Sequence, residues 1–173
     1  MTTLKRKSLN FFIAALFLSI LLIGTNSLSA PKKNSFFKAA TVYRISKYVD
    51  FKGREENIVI CHNSDNLFSQ LLNKFNVNKR IIVVDLKMPS DDKCDIVYLE
   101  ASKPRELVEL TKKYITKPTI LVSDKIGFTT INDGTIEFAD EENKFGLIIN
   151  TKRASSMGIG FNSKLVESAI LVF

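Results

Sequence analysis

The chain has 173 residues, 45% of them hydrophobic, and a formal charge of +7. That length fits one folded domain with an ample core. The charge does not mark a nucleic-acid binder. Lys5, Arg6 and Lys7 sit ahead of an apolar leader, their removal takes the charge from +7 to +4, and the remaining lysines are scattered among acids without a basic helix or arginine cluster.

The three leading cations precede an apolar run from Phe11 to Ile23, the n-region and h-region of a secretory signal. The run is short for a membrane span, which takes about 20 residues. An uncleaved anchor is therefore the weaker reading. Cleavage after Ser29 places small Ser27 and Ser29 at the positions the protease reads. A cut after Ala30 would put bulky Leu28 and Pro31 in the way. No lipobox cysteine follows the apolar run. The expectation is a signal peptide over 1–29 and a single exported domain over 30–173.

Phe36 to Val49 is a helix candidate with a narrow polar face, so it should be mostly buried. Ile58 to Cys61 reads as a short buried strand. Asn63, Ser64 and Asp65 offer N-caps for a helix whose apolar stripe is Leu67, Phe68, Leu71, Leu72 and Phe75. Ile81 to Val84 is a β-branched strand, Pro89 to Lys93 a polar loop, and Cys94 to Leu99 a third strand. Pro104 fits the first turn of the next helix, where its missing N–H costs nothing. That helix shows Leu107, Val108, Leu110, Thr111 and Tyr114 on its inner face. Pro118 leads into the strand Thr119 to Val122. Lys125 to Asn132 reads as irregular, anchored by Phe128.

Asp133-Gly134 opens a hairpin. Thr135 to Ala139 alternates polar and apolar, the reversal is polar, and Phe145 to Ile149 is a more buried return strand. Asn150 or Thr151 caps a short helix that ends at Gly158. Asn162 or Ser163 caps a last helix, with Leu165, Val166, Ala169 and Ile170 as one stripe. Strands alternate with helices from Ile58 to Val122, and the strands are uniformly apolar. That pattern predicts an α/β fold: a mainly parallel sheet flanked by helices, with a C-terminal antiparallel hairpin and a docking helix.

Few residues offer chemistry. Cys61 and Cys94 are the only cysteines, each at the end of a predicted strand. An even count in an exported chain argues for a disulfide over two buried free thiols. His62, the only histidine, lies at a strand-to-loop boundary and reads as a surface residue. No cluster supplies the further ligands that a Cys-His metal site needs. The acid pairs Glu55-Glu56, Asp91-Asp92 and Glu141-Glu142 fall in loops or turns and read as solvated. Gly158-Ile159-Gly160 lacks the third glycine and the preceding strand of a dinucleotide-binding motif, so it reads as a helix stop and an extended link. Lys152 and Arg153, beside the cap Asn150, make a possible anion or partner site. Solvated side chains are the plainer reading of both.

Several stretches, in order, resemble the YfiR-like family of periplasmic proteins. Lys38-Ala39-Ala40 with Tyr48 to Phe51 is similar to that family's opening helix. Ile60-Cys61, Asn78-Lys79-Arg80, Cys94 to Leu99 and Leu121-Val122-Ser123-Asp124 are similar to its successive segments. Asn150, Ala154, Gly158, Ser163-Lys164-Leu165 and Ala169 resemble its ending. Phe51 and Lys52 stand where the family has Trp and Pro, the expected glycine after Cys61 is missing, and one serine rather than two precedes Lys164. The resemblance implies a periplasmic regulator without catalytic activity, metal or cofactor. It implies contact with the periplasmic region of a membrane-bound diguanylate cyclase or other sensor, sequestration by an outer-membrane lipoprotein, a Cys61–Cys94 bond and a homodimer. Lys164 joins Asn150, Lys152 and Arg153 as a candidate contact residue. A periplasmic small-ligand module, using the crevice at the carboxyl ends of the parallel strands, is the alternative.

Overall fold

Seven strands form one sheet in the computed structural model, which describes residues 30–51, 57–87, 93–141 and 144–173. The chain divides into the units Met1–Lys32 and Lys33–Phe173, and the description below concerns the second. The expected signal peptide and most of the acid pairs lie outside the described residues.

Helix α1 runs over Ala30–Tyr48 and leads into a two-residue strand, β1, Val49–Asp50. The sheet begins with β2, Ile58–His62. Helix α2, Asn66–Phe75, follows; the Asp65 carboxylate caps it by accepting from Phe68 N at 2.9 Å. That bond satisfies one of the amides a helix start leaves open. Strand β3 is Ile81–Asp85, and β4 is Ile96–Leu99. Helix α3, Pro104–Tyr114, starts on its proline and buries Leu107, Thr111 and Tyr114 at the helical spacing the sequence predicts. Strand β5 is Ile120–Ser123.

A one-turn helix, α4, Phe128–Ile131, lies within the stretch that reads as irregular. Phe128 does anchor it, fully buried. Its ring lies where a side chain at Gly134 would be: an added Cβ would sit 2.3 Å from Phe128 Cδ1. The hairpin strands are β6, Ile136–Glu141, and β7, Lys144–Ile149. Helix α5 is Thr151–Ser156, followed by β8, Gly160–Phe161, which pairs with β1. Helix α6 covers only Ser163–Glu167, and β9, Ala169–Val172, closes the order.

The strand order is β3-β2-β4-β5-β6-β7-β9. The first five run parallel, β7 is antiparallel to β6, and β9 is parallel to β7. Period-two alternation splits the core into two layers. Ile60, Ile96, Tyr98, Val122, Phe138 and Leu147 face α1 and α2, whose Val42, Ile45, Phe68 and Leu72 complete that cluster. Cys61, Val97, Leu99 and Leu121 face α3 and Phe128 on the other side. Each fully buried aliphatic or aromatic side chain contributes about 1.5–3 kcal/mol by area removed from water.

The end of the chain corrects the predicted docking helix. Leu165, Val166, Ala169 and Ile170 do share a helical spacing, but the helix stops after one turn. Ala169 to Val172 instead pairs beside β7, with a bulge at Ile170. Without it, β7 would be the edge of the sheet with its amides and carbonyls open. A four-residue aliphatic run gains more from that ladder than from extending a short helix.

Candidate functional site

The topology reverses at β2: β3 lies on one side of it and β4 on the other. Open α/β sheets form a crevice at the carboxyl ends of the strands at such a point. Here those ends carry a dense polar network. Asn63, almost fully buried, accepts from Glu100 N at 2.8 Å and donates to Glu106 Oε2 at 3.2 Å. Ser64 Oγ donates to Glu100 Oε2 at 3.3 Å. Lys103 Nζ donates to the Asn63 carbonyl, and Lys87 Nζ to the Ser64 carbonyl at 3.2 Å. From α1, Lys38 Nζ reaches Asp124 Oδ2 at 2.6 Å and Glu100 Oε1 at 3.9 Å. Asp124 also accepts from Ala101 N at 2.7 Å. Three lysines and three acids thus fasten the loops after β2, β4 and β5 to one another and to α1. Removing one partner of such a partly buried pair would leave the other charge uncompensated.

His62 corrects the surface reading. It is the last residue of β2 and is fully buried, with its ring 5.1 Å from that of Phe68. Ser69 Oγ lies 2.7 Å from Nε2. Burial lowers its pKa from 6.5 to about 4; Lys87 and Lys103 push the same way, against Asp85 and Asp65. An imidazole that weakly basic is a poor proton acceptor near neutrality, and no acid orients Nδ1 among the described residues. The Ser69–His62 contact ties α2 to the end of β2. Tyr98 sits opposite His62 in the next strand and stacks on Phe68 at 4.7 Å. Burial drives its pKa far up, and the charges of Asp124 and Glu100 add to the shift.

The two cysteines are joined, with Cα atoms 5.7 Å apart. Cys61 belongs to β2 and Cys94 precedes β4, the neighbouring strand. The Tyr114 hydroxyl lies 3.4 Å from Cys94 Sγ, so α3 covers the bridge.

Asn150 caps α5 by accepting from Arg153 N at 3.0 Å. Arg153 is buried rather than solvated. Its Nη2 donates to the Ile115 carbonyl at 2.8 Å, Nε to Thr135 Oγ1 at 3.3 Å, and Nη1 to Asp133 Oδ2 at 3.3 Å. Burial lowers the pKa of its guanidinium, opposed by Asp133. It pins α5 to the end of α3 and to the turn before β6. Lys152 and Lys164 are exposed, on α5 and α6. The charged network at the strand ends was not singled out by residue type. Lys38 and Asp124 do, however, belong to two separate stretches with the family resemblance, and they meet in space.

Fold and network together define an α/β protein with a flavodoxin-like parallel arrangement at its centre and a reversed C-terminal edge. A model of the YfiR/HmsC-like family matches residues 35–169, so the chain belongs to that family. Members are periplasmic regulators of cyclic di-GMP signalling, regulatory rather than catalytic, and act through protein partners. Among solved structures, the chain is similar in fold to a conserved domain protein from Vibrio cholerae O1 biovar El Tor, at a TM-score of 0.53 and 12% identity. The match covers 80% of this chain and 60% of that one. No curated protein matches. Among the described residues no helix is long and apolar enough to cross a membrane.

Proposed function

We propose that the protein is exported to the periplasm, loses residues 1–29, and represses an inner-membrane diguanylate cyclase by binding its periplasmic region. The observation that carries this reading is the family match over residues 35–169. Repression follows if the protein binds the cyclase's inactive conformation more tightly than the active one, since a partner shifts an equilibrium only by that difference. The pinning of α5 by Arg153 favours such a role: it holds the proposed contact end in place, which limits the entropy lost on binding. His62 and the cysteines support binding over catalysis, because a buried weak base and a bonded sulfur pair are unsuited to proton transfer or attack. An outer-membrane lipoprotein that captures the protein, and a homodimer, complete the proposal.

The contact in this proposal is the α5–α6 end; exposure of Lys152 and Lys164, with Asn150 and Arg153 holding the backbone, supports the choice. Immobilised protein should retain a diguanylate cyclase from solubilised inner membranes. Lys152→Glu with Lys164→Glu should weaken that retention roughly three- to tenfold, the usual reach of rim charges, at unchanged thermal stability. Equal retention by the double variant would move the contact elsewhere. Retention of other sensors and of no cyclase would overturn the cyclase reading.

A further inference from the structure

We propose that a crevice between the β5–α4 connection and the outer strands binds a small molecule with an apolar body and a cationic nitrogen. The crevice has a volume of about 440 Å³, within the range of small-ligand sites. Ile126, Ala139, Ile148 and Leu171 are among its apolar lining residues. Two carboxylates, Asp124 and Glu137, also line it.

Strand register explains why the crevice exists. Ser123 lies opposite Glu137, Glu137 opposite Ile148, and Ile148 opposite Leu171, so these side chains share one face of the sheet. Over β2, β4 and β5 that face is covered by α3 and Phe128. Over β6, β7 and β9 it opens into the crevice. The bulge at Ile170 turns Ile170 and Leu171 toward the same side, where both remain about half exposed at 44% and 50%. Ile126 is 88% exposed. Apolar walls left open in this way favour an apolar occupant.

Charge selects the kind of occupant. Asp124 is offset by Lys38. Glu137 is only 4% exposed, and no ion pair to it exists among the described residues. Its oxygens accept from Gly127 N at 2.8 Å, Thr129 N at 3.1 Å and Thr129 Oγ1 at 3.0 Å. Gly127, at φ +75°, takes a left-handed conformation that suits glycine. These donors are neutral dipoles: they solvate a carboxylate without cancelling its charge. A buried charge without a counter-charge is costly, and a ligand cation brought beside it recovers part of that cost. An anion would meet two carboxylates. A metal ion would find no group of three or more ligating side chains among the described residues.

The test uses the purified protein and three probes of one size: 2-phenylethylamine, 2-phenylethanol and phenylacetate. No cyclase is needed, so the outcome is independent of the partner reading. In amide NMR spectra the amine should shift residues 124–126, 137–139, 148 and 170–171. The alcohol should bind about tenfold more weakly and the acid more weakly still, as expected when charge contributes to the affinity. Glu137→Gln should erase the preference for the amine over the alcohol. Leu171→Ser, on the exposed edge, should weaken both. Equal binding of all three probes, shifts confined to other residues, or an amine preference that survives Glu137→Gln would each overturn the proposal. If Glu137→Gln fails to fold, the amine-to-alcohol comparison in the unaltered protein decides.

Discussion

Breaking the Cys61–Cys94 bond lowers stability by roughly 2–4 kcal/mol. The bond joins positions 33 residues apart and closes a loop that holds α2 and β3. In the unfolded chain that closure removes conformations, and the chain-entropy model gives about 3.8 kcal/mol for a loop of this size. The lower end of the range allows for residual structure in the reduced, unfolded chain. The native side also contributes. Cys61 and Cys94 are both buried in the cluster with Leu107 and Tyr114, so two thiols or two serines there would disturb that packing. Cys61→Ser with Cys94→Ser should move the thermal midpoint down by about 5–15 °C, since each kcal/mol is worth a few degrees in a domain of this size. An unaltered midpoint would show that the bridge constrains nothing the fold does not already hold. Mass spectrometry after thiol alkylation of non-reduced protein should find neither cysteine modified.

Acidification costs the fold roughly 3 kcal/mol through His62 alone. In the unfolded chain this imidazole takes its proton at about 6.5, whereas in the folded protein burial delays it to about 4. Between those values the unfolded state binds more protons, so stability falls as the pH drops from 6.5 toward 4. Below 4 the folded state also protonates, and this contribution stops changing. Other groups titrate in the same range, and the variant His62→Gln separates them. Urea midpoints at pH 7 and pH 4.5 should differ by roughly 2 kcal/mol more in the natural protein than in His62→Gln. Equal pH dependence in the two proteins would mean that His62 is protonated in the folded state near its ordinary pKa. In a member of a periplasmic family, this places acid sensitivity at the joint between β2 and α2.

Much of the architecture is legible in residue patterns, because local periodicity and burial agree there. Leu107, Thr111 and Tyr114 behind Pro104 fall where α3 buries them, and Asp65 caps α2 as its type suggests. The Cys61–Cys94 bond follows from cysteine count and compartment, and adjacent β2 and β4 make it geometrically possible. The last strand was not legible. Leu165, Val166, Ala169 and Ile170 carry a helical spacing, and only the open edge of β7, a long-range feature, turns the second pair into β9. Buried polar residues are hidden for a related reason. Type alone puts His62 and Arg153 at the surface, while their burial depends on partners distant in sequence, such as Lys103 for the loop after β2 and Ile115 for Arg153. Glu137 gives no sign in an alternating strand that its neighbours will close over it. The network of Lys38, Glu100, Asp124 and Lys103 likewise comes from three separate segments that only the sheet brings together.

The central claim, repression of a cyclase, is tested most directly by the level of cyclic di-GMP in cells with and without the gene. Deletion should raise the dinucleotide and promote aggregation or biofilm, and expression of the exported protein from a plasmid should restore the lower level. Expression of residues 30–173 without the leader should fail to restore it, because the proposed contact lies in the periplasm. Unchanged cyclic di-GMP after deletion, across growth conditions in which the protein is present, would contradict the account.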